Sequence, residues 1–249
     1  MKGGENMNNK IILGIIVVAI LGILGYFAYS NTPIVSAEGS SSLKAQPDEL
    51  SVYINIETRN ATLQDAQKTN SQISANVMSA LTALDIDEKD IQFAGYSSYP
   101  WNEWDGTMSK DKGFIVSQQI IVKTAKFSDT PKIVDAAVNS RALVQSIQFE
   151  LSESKQNDYK SQALKAASEN AKEKASSIAE GQNRELGRLV SVQSNDFNYY
   201  PMPYYTMKDS LGGSASASVA EARSAAANIA PSDIDVSASV TVQYKLSIF

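Results

Sequence analysis

Apolar and polar positions alternate with a period of two in two stretches far apart in the chain. Leu50, Val52, Ile54 and Ile56 interleave with Ser51, Tyr53, Asn55 and Glu57, as in a strand buried on one face. Ile234, Val236, Ala238, Val240, Val242, Tyr244 and Leu246 repeat the pattern near the C-terminus. Between them the spacing turns helical. Ala66, Ile73, Val77, Leu81 and Leu84 share one face, behind Thr62 and Asp65, a capping box with Asp in place of Glu. Strands are predicted at Ile34–Ala45, Ile91–Tyr99, Phe114–Val122, Leu143–Leu151 and Leu189–Val192. A short helix begins at Ser128 or Thr130, carries Pro131 in its first turn and ends at Asn139.

The segment Ser154–Glu180 predicts a long helix in which Ala163, Ala167, Ala171, Ala175 and Ala179 form a stripe at four-residue spacing, with Gly181 as its C-terminal cap. A stripe of alanines lets a sheet or a second helix approach closely. Residues 196–231 lose periodicity and read as an irregular loop, with a marginal helix over Ala217–Ala227 as the other reading. The predicted class is α+β with a mixed sheet packed by helices. Its middle portion has the βαββαβ order of a ferredoxin-like unit.

The N-terminal segment differs in kind. Residues 11–29, IILGIIVVAILGILGYFAY, carry no charge and as a helix would extend ~28 Å, the thickness of a bilayer core. Lys2 and Lys10 precede the run and the next basic residue is Lys44, which places residues 1–10 in the cytoplasm and the rest outside. The expected organisation is a transmembrane anchor at 11–29, a linker at 30–33 and an ectodomain at 34–249, on a single-pass protein of the cell membrane. A cleaved signal peptide is the alternative, with Val35–Ser36–Ala37 as its site. The uncleaved anchor is preferred because the apolar run is long and the site lies well beyond it. The opening MKGGENM could be encoded by a stretch resembling a ribosome-binding site, which points to Met7 as the start.

Composition narrows the chemistry. A net charge of −5 with scattered basic residues argues against nucleic acid as a partner. The sequence has no cysteine and no histidine, which removes thiolate chemistry and the commonest general base and metal ligand. No cofactor motif is present, and neither a cofactor nor a metal is expected. Ser41 with Lys44, and Ser152 with Lys155, have the spacing of Ser/Lys acyl-transfer pairs without the surrounding motif. Asp85–Asp90 (DIDEKD) lacks the alternation of a calcium loop. Asn60-Ala61-Thr62 is a glycosylation acceptor.

Aromatic residues gather in two runs. Tyr96, Tyr99, Trp101 and Trp104 surround YPWNEWDG, and Phe197, Tyr199, Tyr200, Tyr204 and Tyr205 surround NYYPMPYYTM. Aromatics on proline-stiffened loops offer contact area at low entropic cost. Both runs are candidate interface or ligand surfaces; covering the end of the core is the plainer role.

Taken in order, IVSAEGSSSLKAQPDELSVYINIETRNATLQDAQKTN, GFIVSQQIIV, IVDAAVNS, IQFEL, LGRLVSV and IDVSASVTVQYKL resemble the SIMPL (DUF541) family over about residues 34–249. Ala66 and Asn70 fall at that family's helix spacing. Phe93 replaces its usual Thr, and Glu38–Gly39 keeps half of its Gly-Glu-Gly. The resemblance implies an exported or surface protein, related to oxidative-stress-defence proteins and to periplasmic immunogenic proteins, one of which resembles a ring- or channel-like oligomer. It supplies no catalytic residues. The expected function is a non-enzymatic, membrane-anchored, oligomeric scaffold or envelope interaction module that binds its own copies or an envelope protein. The alternative is a surface receptor for glycan or peptide, with a Ser/Lys hydrolase last.

Overall fold

The computed structural model describes residues 13–23, 32–207 and 215–247. Helix α1 covers 13–23 with its side chains exposed. The rest of the expected span, residues 1–10, and residues 30 and 31 of the linker lie outside the described residues. No helix among the described residues is long and apolar enough to cross a membrane, so the fold by itself lends the anchor no support.

The remaining elements are β1 (Ile34–Ala45), β2 (Glu49–Asn60), α2 (Leu63–Thr82), β3 (Ile91–Trp104), β4 (Ser109–Thr124), α3 (Thr130–Asn139), β5 (Leu143–Glu150), α4 (Glu153–Gly181), β6 (Glu185–Tyr199), β7 (Met202–Thr206), α5 (Ala215–Ala227) and β8 (Ile234–Ser247). They divide into two units.

One unit comprises the described residues of Leu43–Tyr159 and Tyr199–Val236. Its sheet has the order β3-β4-β2-β5-β7, with each neighbouring pair antiparallel. The first four strands with α2 and α3 form the expected ferredoxin-like unit. The expectation of a mixed sheet is corrected: every β-α-β step here skips a strand position, and the hairpin β3–β4 reverses the direction. Leu50, Val52, Ile54 and Ile56 of β2 are fully buried, as are Val77 and Leu81 of α2 and Ile133 and Val134 of α3. Burial of each such side chain stabilises the fold by about 1.5–3 kcal/mol.

Two polar residues fasten α2 to the sheet. The Asn70 amide donates to the Ile56 carbonyl (2.9 Å) and the Val116 carbonyl (3.3 Å). The Thr58 hydroxyl donates to the Ala66 carbonyl (2.9 Å). The Ala66/Asn70 spacing is thereby explained: the alanine admits the close approach that the asparagine bonds require. Thr62 caps α2, accepting from the Asp65 N–H (3.2 Å) and donating to its carboxylate (2.7 Å).

The stretch 196–231 is more regular than its composition implies. Met202–Thr206 forms edge strand β7, where Pro203 is tolerated because an edge strand has a side without ladder bonds. Ala215–Ala227 forms α5, with Ala222 and Ala226 buried and Arg223 paired to Asp135 of α3 (2.7 Å). The expected loop YPWNEWDG continues β3 as far as Trp104, and the turn follows it.

The other unit comprises the described residues of Met1–Ser42, Lys160–Asn198 and Ser237–Phe249, with sheet order β1-β8-β6. Here α4 lies against β1. All five alanines of its stripe are fully buried, and a Cβ at Gly39 would collide with the backbone of Ala167 and Ala171. Ser41 donates to the Ala163 carbonyl (2.7 Å), the Ser40 N–H to Asn170 Oδ1 (3.2 Å) and Lys174 to the Glu38 carbonyl (3.0 Å). The sheet is what the alanine stripe receives. Gly181 is the last helical residue, and the left-handed position that ends α4 is Asn183 (φ 55°), because asparagine tolerates that conformation.

Gly39→Ala is expected to lower unfolding free energy by about 1–3 kcal/mol, read by urea denaturation. An unchanged midpoint would mean that α4 is not held at this distance from β1.

Candidate functional site

The two aromatic runs occupy different strands, and the sheet order keeps them apart. Tyr96, Tyr99, Trp101 and Trp104 belong to edge strand β3, whereas Tyr204 and Tyr205 belong to β7 at the opposite edge. Four inter-strand steps separate those edges, roughly 19 Å. The runs do not form one surface on this sheet.

They also differ in what their side chains do. β3 and β4 form a hairpin arm, whose two strands pair only with each other beyond Gly113 opposite Trp101. Asp105 sets its turn, accepting from the N–H groups of Thr107 and Met108 (2.9 Å each). Its carboxyl is held below the usual range by Lys110, 2.8 Å away, and by those backbone donors. Arg59 stacks on Trp101 at 4.9 Å. Tyr96, Tyr99 and Met108 are exposed, Trp104 is 67% exposed, and Phe93 adds a further exposed ring.

The second run is largely turned inward. Tyr204 packs edge-to-face on Phe149 (5.5 Å, 68°) and donates to the Asn228 carbonyl (2.6 Å). Phe149 meets Phe127 in the same way (5.4 Å). Tyr205 is buried and donates to the Ser218 carbonyl (3.2 Å). Tyr199 accepts the Leu151 N–H (2.7 Å). Burial pushes its hydroxyl up to about 12, and the carboxylates of Glu150, Glu49 and Asp48 act in the same direction. Phe197 lies 5.6 Å from the Lys160 ammonium. Tyr200 alone of this run is strongly exposed, at 73%.

The Ser/Lys pairs have other partners. Ser41 bonds α4, while Lys44 pairs with Asp235 (2.7 Å). The Ser152 hydroxyl donates to Asp48 (2.8 Å) and accepts the Lys155 N–H (3.4 Å) at the start of α4; the Lys155 ammonium reaches the Gln46 carbonyl (3.4 Å). Asp87 pairs with Lys89 (2.9 Å), and among the described residues no acidic group converges in metal-binding geometry. Asn60 is exposed at the end of β2, its side chain accepting the Ala61 N–H (2.8 Å).

One feature escapes a search for aromatic runs. On the sheet face opposite α2 and α3, a shallow depression of about 400 Å³ is lined by Asn55, Gly95, Tyr96, Ser97, Ser117, Gln119 and Gln145. Ser117 donates to Asn55 (2.9 Å) and Gln119 to Gln145 (2.8 Å), which orients the amides. The signal in the sequence is the polar half of the alternation in β2 and the SQQ of β4.

The model of SIMPL, "Protein of unknown function (DUF541)", matches residues 35–244. The chain is 28% identical over 199 residues to the "Uncharacterized protein YggE" of Escherichia coli (strain K12), covering 78% of this chain and 80% of that one. It is 28% identical over 176 residues to the YggE of Edwardsiella ictaluri, covering 69% and 72%. It is 23% identical over 174 residues to the "26 kDa periplasmic immunogenic protein" of Brucella melitensis biotype 1, covering 68% and 69%.

A raised Tyr199 keeps its proton in the folded state where the unfolded chain, near the ordinary value of 10, has lost it. Its contribution is complete below about pH 10 and is lost as pH rises towards about 12. Tyr199→Phe is expected to cost about 1 kcal/mol at neutral pH, by leaving the Leu151 N–H without this acceptor, and to flatten part of the alkaline fall in stability. Denaturant midpoints between pH 7 and 11.5 read both effects.

Proposed function

The chain belongs to the SIMPL family, and on that premise we propose that it is a non-enzymatic, extracytoplasmic interaction module of the cell envelope, tethered by residues 11–29 and assembling with copies of itself. The observation that carries this reading is the β3–β4 arm. Its rings face solvent on a strand whose outer edge pairs with no other strand among the described residues. Such an edge is a template for association, and between Ile91 and Asn102 no charged side chain guards it. The other edge, β7, is only five residues long against fourteen for β3; both carry a proline, Pro203 and Pro100, and register shifts. The periplasmic name of the Brucella relative and the lysines before the apolar run support placement outside the cytoplasm.

The test is light scattering on the full-length protein in detergent micelles. An oligomer is expected, and Tyr96→Ser with Tyr99→Ser is expected to weaken it roughly tenfold or more with the circular dichroism unchanged. A monomer at all concentrations, or an oligomer indifferent to these changes, would overturn the role of the arm.

A second reading rests on the polar depression. Oriented amides beside an exposed ring are suited to a hydroxyl-rich or peptide ligand. On this reading a short neutral oligosaccharide or an extended peptide shifts the amide resonances of Gln119 and Gln145, and Gln119→Ala with Gln145→Ala weakens binding about tenfold. Spectra unmoved by millimolar probe would dispose of it.

A further inference from the structure

Between Leu189 and Val192, strand β6 carries apolar side chains that are exposed on both faces. Leu189 is 48% exposed, Val190 43% and Val192 55%. The Ser191 hydroxyl donates to Gln243 (3.1 Å), so Ser191 shares a sheet face with Gln243. Alternation then puts Val190 and Val192 on the face of the buried Val240 and Val242 of β8. These valines lie on an inner, apolar face and are nevertheless open to solvent. The other edge of β6 pairs with no strand among the described residues.

We propose that β6 is a homotypic docking strand, which pairs antiparallel with β6 of a second copy about a two-fold axis through Ser191. The proposal rests on the assembly reading above and specifies an interface distinct from the arm. The occupant follows from the strand's own complementarity. With Ser191 opposite itself, Val190 of each copy faces Val192 of the other, twice, on the correct sheet face. Such β-branched cross-strand pairs are favourable. Leu189 meets Gln193 and Arg188 meets Ser194. Arg188 is the one charge between Leu186 and Ser194, and the two copies of it are offset by six residues, roughly 20 Å, beyond the screening length of about 8 Å. Between Leu186 and Ser194, pairing therefore brings no like charges together. Moving the two-fold axis to Val190 would set Val192 against Arg188, and any other register loses the reciprocal valine pairs.

The lack of cysteine in the chain makes the register directly testable. At the centre of an antiparallel pair, opposing Cα atoms are about 4.5–5.5 Å apart, within disulfide reach. Ser191→Cys in the full-length protein is expected to form a covalent dimer in more than half of the chains on mild oxidation. Leu189→Cys, equally exposed but offset from its copy by roughly 13 Å, is expected to remain below a tenth. In parallel, Val190→Lys with Val192→Lys should reduce the mass read by light scattering. Comparable cross-linking at both positions, or none at Ser191, would overturn the paired register. If the protein is oligomeric and Ser191→Cys stays unlinked, β6 pairing fails while assembly through the arm stands. A chain that is monomeric throughout overturns both.

Discussion

The separation between α4 and β1 sets the form of the smaller sheet. Five alanines on the helix and Gly39 on the strand remove the side chains that would hold the two backbones apart. The bonds of Ser40 and Ser41 to α4, and of Lys174 to β1, then become reachable. The same closeness has a cost in coverage. A helix is about 10–12 Å across and neighbouring strands are about 4.8 Å apart, so one alanine-faced helix shields about two strands. β1 and β8 receive that shield, and β6 does not. The exposed valines of β6 are thus a consequence of how the helix is packed.

The same logic separates the aromatic runs. Rings on β7 find backbone carbonyls and Phe149, so their hydroxyls and faces are used within the fold. Rings on β3 have no layer above them, because β3 is the edge strand and α2 packs on β2 and β4. Composition made the two runs look alike. Position in the sheet makes one a closing seam and the other an open surface.

Much of the architecture was legible because it rests on periodicity. The alternation in β2 and β8, the apolar face of α2 and the alanine stripe of α4 each correspond to an element with the expected face buried. Less legible were features decided by tertiary context. Pro201 and Pro203 read as loop, yet an edge strand accepts Pro203. YPWNEWDG read as a loop tip, yet cross-strand pairing carries β3 through it. The antiparallel sheet is fixed by strand order, which local pattern does not encode. The partners of Ser41 and Ser152 lie more than a hundred residues away in sequence, and the oriented amides of the polar face are joined across strands. The aromatic residues were visible; which of them face solvent was not.

Strand β8 has a temporal meaning as well as a spatial one. It is the centre of its sheet, and β1 and β6 touch through it alone. β1 and β8 are separated by roughly 200 residues, so closing the sheet bears a large loop entropy and is slow for a non-local topology. In synthesis from the N-terminus, β1, α4 and β6 are all complete before their common partner exists. Until residues 234–247 arrive, both flanking strands present unpaired backbone and apolar side chains. The chain therefore passes through a long interval in which this half is adhesive and unfinished.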